Sequence, residues 1–288
     1  MKLLSLFGGP SLTPSWTFAP GGTIWRLFPA KSGQLVGESR NEDAKRATFF
    51  ALDMETGTPL WQNLAFDEPW WIGIEDVTEE VLLLHKFASP DMPQHKGIIG
   101  VDLRTGRQLW SNDQSTYWFT HKNSLFVHKM MFEKRMASEL DVRSGQLVKE
   151  FGEDQEASLF RIREEAHETD QNGISFPDAV ELDRVHSNTA RIIRKHLPAT
   201  DVQGFVEFLQ IDPLLLLNYF VPSRRSSSEK TLLDNHFKIL ETTGGRLLYS
   251  DTIARGAPAA VPDSFFVHNR IVYYVKDQKI LTAIRLSN

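Results

Sequence analysis

One phrase recurs along this chain, and it limits what the chain can fold into. Thr48-Phe49-Phe50-Ala51-Leu52-Asp53-Met54-Glu55-Thr56-Gly57-Thr58-Pro59-Leu60-Trp61 returns as Ile98-Ile99-Gly100-Val101-Asp102-Leu103-Arg104-Thr105-Gly106-Arg107-Gln108-Leu109-Trp110. Worn copies run from Ser138 to Val148, through Asp141 and Gly145, and from Phe237 to Tyr249, through Glu241 and Gly245. In each copy glycine follows the acid by four residues, and three of the four carry an aromatic eight residues after the acid: Trp61, Trp110 and Tyr249. Self-similarity at such intervals is the mark of a repeat architecture.

Each copy reads as a β-hairpin. Apolar and β-branched residues lead into the acid, whose carboxylate accepts backbone N–H groups in the turn. Thr-Gly or Ser-Gly then supplies the left-handed position that closes a short loop, and the second strand carries the aromatic. Asp53 and Asp102 are 49 residues apart, and Asp102 and Asp141 are 39 apart. These spacings bracket the roughly 40–45 residues of a four-stranded propeller blade.

Ala51-x-Asp53-x-x-Thr56-Gly57-x-x-x-Trp61 resembles the tryptophan-docking motif of quinoprotein-like (PQQ-type) propeller repeats, and Asp102 to Trp110 matches it with Gly100 in the alanine place. The resemblance implies that Asp53, Gly57, Trp61, Asp102, Gly106, Trp110, Asp141, Gly145, Glu241, Gly245 and Tyr249 dock one blade on the next, with Trp16 in the same role at the start of the chain. More loosely the whole chain, including Asp67 to Glu75, resembles a small bacterial domain family of unknown function.

The expected fold is therefore all-β: one propeller domain over 1–288, most simply of five four-stranded blades, with six as the alternative. The last blade has only three strands after Ser264, so a strand around Trp16 is expected to close the ring and remove two open edges. Residues 153–203 read as an insertion, with a helix near 187–197 that puts Ile192, Ile193 and Leu197 on one face.

Composition narrows the functions. A net charge of -5 gives no basic footprint for a phosphate backbone, so nucleic acid is not an expected partner. With no cysteine, disulfides, thiolate metal sites and cysteine nucleophiles are excluded. Met1 to Gly9 is too short in apolar residues for a signal peptide, and no stretch has the roughly 18 apolar residues of a membrane span. The expectation is a cytoplasmic monomer. No phosphate loop or nucleophile elbow occurs.

Candidate ligand residues sit on strands assigned to the innermost position, where propellers bind along their axis: Arg26, Trp70, Trp71, Glu75, His121, Glu207 and His268. Trp70 and Trp71 are expected to open an inner strand. The nine histidines form no His-x-His or His-x-x-x-His pair, so a metal would need ligands converging from several blades, and none is expected. The motif resemblance raises PQQ chemistry, but that family's enzymes use eight blades and an adjacent cysteine pair, which this chain lacks, so no cofactor is expected. The favoured function is a non-catalytic module binding a protein or small ligand. The alternative is a glycosidase-like enzyme using Glu75 and Glu207.

Overall fold

The structure is a computed structural model describing residues 12–89, 92–131, 134–168, 173–181, 188–198, 202–227 and 230–286. The chain forms two compact units, one of residues 20–172 and the other of 1–19 with 173–288.

The chain enters with β1 (Trp16–Phe18). The first unit then follows as three antiparallel four-stranded sheets, each strand pairing with the next in sequence. The first sheet is β2 (Thr23–Pro29), β3 (Gln34–Asn41), β4 (Arg46–Asp53) and β5 (Pro59–Leu64); the second is β6 (Ile72–Val77), β7 (Val81–Ser89), β8 (Met92–Asp102) and β9 (Gln108–Asn112). The third is β10 (Thr116–His121), β11 (Ser124–Met131), β12 (Lys134–Asp141) and β13 (Leu147–Phe151), and helix α1 (Glu156–Glu168) closes the unit.

The second unit has two five-stranded sheets. One orders β15 (Asp178–Val180), β16 (Val206–Ile211), β17 (Leu214–Pro222), β18 (Leu233–Glu241) and β19 (Leu247–Ala257). The other joins β14 (Ile174–Ser175) to β20 (Phe265–His268), β21 (Ile271–Lys276), β22 (Ile280–Arg285) and finally β1. Helix α2 (Asn188–His196) lies between β15 and β16 in sequence. The strand around Trp16 thus pairs with the last strand of the chain, Trp16 opposite Ala283 and Phe18 opposite Leu281.

The repeated turns show why the acid and glycine recur. Asp53 Oδ1 accepts both the amide and the hydroxyl of Thr56 at 2.8 Å, and Gly57 takes a φ of 69°. Asp102 with Thr105 and Asp141 with Ser144 repeat the arrangement, Gly106 and Gly145 holding φ 70° and 68°. The Ser144 hydroxyl and amide hold the Asp141 carboxyl below its ordinary range. Glu241 departs from the pattern: its longer side chain turns to Arg246 at 2.6 Å.

Several middle strands are apolar on both faces because sheets stack on each side of them. Leu82 and Leu84 of β7 join the core shared with the first sheet, while Val81 and Leu83 join Leu125, Val127 and Leu140 of the third. In the second unit Leu214 and Leu216 pack with Phe265, Val272 and Ile284, and Leu215 and Leu217 pack under Ala190, Ile192 and Ile193 of α2. Leu159 of α1 packs on Phe119, Phe126 and Phe151 of the third sheet. Each helix thus packs on one face of a sheet, and each such aliphatic side chain contributes about 1.5–3 kcal/mol when buried.

One expectation needs correction, and one needs extension. Trp70 and Trp71 do not open a strand: β6 begins at Ile72, and both tryptophan amides are held by Glu68 Oε1 at 3.0 and 2.8 Å, which fixes them in the preceding turn. The helix expected near 187–197 is α2, and among the described residues of 153–203 it is joined by a 3-10 turn (Glu153–Gln155), helix α1 and the short strands β14 and β15. Helix α1 was missed because its apolar residues are few and Phe160 remains exposed.

Candidate functional site

A β-bulge sits in the first strand of every sheet in the first unit. Ile24 pairs with Ser39 but Arg26 with Glu38, so Trp25 is the extra residue; the same shift makes Glu75 extra in β6 and Trp118 extra in β10. A bulge re-aims its side chain away from strict alternation. Trp25 is turned outward and is 56% exposed.

Around Trp25 the first two sheets form a pocket of about 290 Å³, lined by Trp25, Arg26, Glu38, Arg40, Trp70, Trp71, Gly73, His85 and Phe87. Its floor is an ion pair: Arg40 Nε donates to Glu38 Oε1 at 2.5 Å, and Glu38 is 1% exposed. Arg40 also donates to the carbonyls of Trp70 at 2.9 Å and Ile72 at 2.7 Å, while Glu38 Oε2 accepts the Ile74 amide at 3.1 Å. The guanidinium lies 4.8 Å from the Trp70 ring and 5.7 Å from that of Trp25. Every charge of this buried pair is met, as burial requires.

Arg26 differs. It is exposed, and Nη1 donates to Ile74 O at 3.0 Å. Trp71 also lines the pocket, edge-on to Phe87 at 5.7 Å. Gly73 leaves room for His85 and Glu38, since a Cβ there would fall 2.8 Å from His85 Nε2 and 3.2 Å from Glu38 Oε2. Burial drives the pKa of His85 down from 6.5 to about 3, so the imidazole is neutral.

The seven predicted site residues are not brought together. Arg26, Trp70 and Trp71 share this pocket. Glu75 is beside it, with Oε2 2.7 Å from Nδ1 of His95. His121 lines a wider cleft of about 630 Å³ between the second and third sheets. The polar groups there are largely taken: Asp76 Oδ2 accepts Tyr117 and Thr120 hydroxyls, and Arg143 pairs with Glu80.

Glu207 and His268 belong to the other unit, where a chain segment covers the strand edges that carry them. Ala179 of β15 lies opposite Glu207, and Ile174 of β14 opposite His268. Glu207 is fully buried, its Oε1 accepting the amides of Asp263 at 2.5 Å and Ser264 at 3.4 Å. It offers no carboxyl to a substrate. Sequence reasoning missed Trp25, Glu38, Arg40 and His85; the signal for Trp25 was its adjacency to Arg26, hidden because a bulge breaks the period-2 reading.

The docking residues make specific contacts. Trp61 Nε1 donates to Leu103 O at 2.8 Å and Trp110 Nε1 to Val142 O at 3.0 Å, each in the turn region of the next sheet. Tyr249 instead bonds Tyr274 through its hydroxyl at 2.7 Å. Trp16 tilts on Tyr273 within its own sheet, at 5.9 Å. Gly245 is met by Ile192 and His196 of α2, with His196 Nε2 2.6 Å from Gly245 O.

Residues 29–110 match the family model described as Domain of unknown function (DUF4905). The match takes in under a third of the 288 residues, including most of the first two sheets and both complete repeats. No curated protein matches the chain. Among solved structures, the β-propeller domain of the Trilobed protease from Pyrococcus furiosus is 11% identical, with a TM-score of 0.31 over 88% of this chain and 64% of that one. A quinohemoprotein alcohol dehydrogenase from Pseudomonas putida is 11% identical at a TM-score of 0.29, over 96% of this chain and 44% of that one. An uncharacterised protein from Listeria monocytogenes is 10% identical at 0.32, over 90% and 94%. The chain therefore spans less than two thirds of the length of the first two. At such TM-scores these likenesses carry no argument about activity. Among the described residues no helix is long and apolar enough to cross a membrane.

Proposed function

We propose that this chain is a five-bladed β-propeller, a single domain over 1–288 with an insertion at 153–203, acting as a non-catalytic binding module. The ligand is a small carboxylate with a planar ring, held in the pocket of Trp25, Arg26, Trp71 and His85. Five sheets of sequential antiparallel strands, with the first strand of the chain completing the last sheet, support the propeller reading.

The observation that carries the ligand class is the state of the two arginines. Arg40 is ion-paired and bonded to two carbonyls, whereas Arg26 is exposed, gives one bond to Ile74 O and lines the pocket together with two exposed indoles. A guanidinium fork suits a carboxylate, and indole faces suit a planar ring. A cavity of about 290 Å³ fits a small molecule, at the lower end of ligand pockets. The glycosidase-like alternative loses support because Glu207 is sequestered inside its own unit.

Titration calorimetry with benzoate and indole-3-acetate, against their neutral amides, tests the reading. Saturable binding of a carboxylate, at least tenfold weaker for its amide and lost in Arg26→Ala, is the expected result. Equal affinity for acid and amide, or retention in Arg26→Ala and Trp71→Ala alike, overturns it.

A further inference from the structure

Glu75, His85 and His95 come from three successive strands of the second sheet, and one ligand atom of each lies within 4.8 Å of the others. Their convergence depends on two irregularities. Glu75 is the extra residue of the β6 bulge. In β8 the pairing shifts between Ile98, opposite His85, and His95, opposite Phe87, where Gly97 adopts a φ of 81°. Without that shift Lys96 would stand opposite Phe87, and His95 would point to the other face.

From this geometry we propose that Glu75, His85 and His95 bind a divalent transition metal ion, with zinc as the fitting case. Two imidazoles and one carboxylate form a ligand set zinc accepts, leaving a further position for water or a ligand. A second observation points to an ion. His85 is 2% exposed, yet its Nδ1 has no hydrogen-bond partner among the described residues. Buried ring nitrogens are ordinarily satisfied.

The two imidazoles now lie face to face, with centroids 3.5 Å apart and planes 9° apart, and His95 bonds Glu75. A ligated ion lies in the plane of each ring it binds, so loading turns the rings out of this stack and replaces the Glu75–His95 bond. Because His85 also lines the pocket, the ion sits at the pocket's wall.

The test is zinc titration of the full chain after dialysis against a chelator. Wild type is expected to bind one ion with a micromolar or tighter Kd. Glu75→Gln and His95→Gln each weaken binding at least tenfold, while His121→Gln, in the other cleft, leaves it unchanged. In wild type, imidazole NMR signals of two of the nine histidines shift on zinc addition, a readout that stands even if a variant misfolds. The absence of saturable binding by wild type, wild-type affinity in both variants, or shifts confined to other histidines overturns the proposal. None of these readouts depends on the carboxylate ligand.

Discussion

The indole of Trp61 rests on Gly106 so closely that a Cβ at that glycine would fall 2.9 Å from two ring atoms, while Nε1 donates to Leu103 O at 2.8 Å. Trp110 and Gly145 repeat the relation one sheet further on, the added Cβ falling 2.6 Å from the ring. Glycine serves twice here, in allowing a left-handed turn and in leaving a seat for the neighbouring sheet's tryptophan.

The two roles separate by mutation. Gly33 has a φ of 86° with nothing within 4 Å of an added Cβ, so Gly33→Ala reports only the backbone strain, about 1–2 kcal/mol. Gly106→Ala and Gly145→Ala carry the same strain plus the displaced indole, a further cost of about 1–3 kcal/mol. Urea denaturation of the three variants checks the order; equal losses would remove the docking role.

Trp61→Phe keeps an aromatic ring but deletes the N–H to Leu103 and part of the indole's bulk, and costs about 1–3 kcal/mol. Trp61→Ala and Trp110→Ala empty the seat and cost about 3–5 kcal/mol each. Thermal melts within a degree or two of wild type for both alanine variants would contradict the packing.

Deleting residues 1–20 removes β1 together with the bonds of the Leu12 amide to Leu248 O and the Ser15 amide to Ala283 O. That leaves the β22 edge unpaired, and the shortened chain is expected to aggregate or melt well below wild type. Deleting residues 1–8 removes none of these contacts and is expected to be tolerated. A soluble long truncation with an unchanged melting temperature would show that the β1–β22 pairing is dispensable.

Glu207 predicts a pH dependence. Burial raises its pKa above 4.5, and its Oε2 has no partner among the described residues. The folded state therefore holds a proton that the unfolded chain releases once pH passes 4.5, so this group's contribution falls as pH rises through the folded pKa. Glu207→Gln keeps the acceptor for the Asp263 amide and removes the charge. It is expected to be more stable than wild type at pH 8, with the advantage fading below pH 4.5. Denaturant midpoints across that range decide it; a variant less stable at pH 8 would show that the carboxylate is ionised and useful.

Sequence by itself determined the hairpins, because their causes are local. Asp53, Asp102 and Asp141 each bond a hydroxyl and an amide three residues away, and each following glycine takes the φ its turn demands. Those forces act within five residues, so spacing in the chain reveals them. The strand around Trp16 was legible for a similar reason, as an aromatic strand segment beside a sheet one strand short. Tertiary structure alone decided the site. Trp25, Glu75 and His95 face their neighbours through pairing shifts, and a shift exists only once two strands, or two residues on one strand and one on another, are set side by side. Glu38 and Arg40 look like surface charges in the sequence and become a buried clasp only when the second sheet presents the Trp70 and Ile72 carbonyls. Glu207 looked like a channel residue until Ala179 lay across its strand. Alternation within a strand is a property of the chain, but what faces a side chain is a property of the strands packed against it.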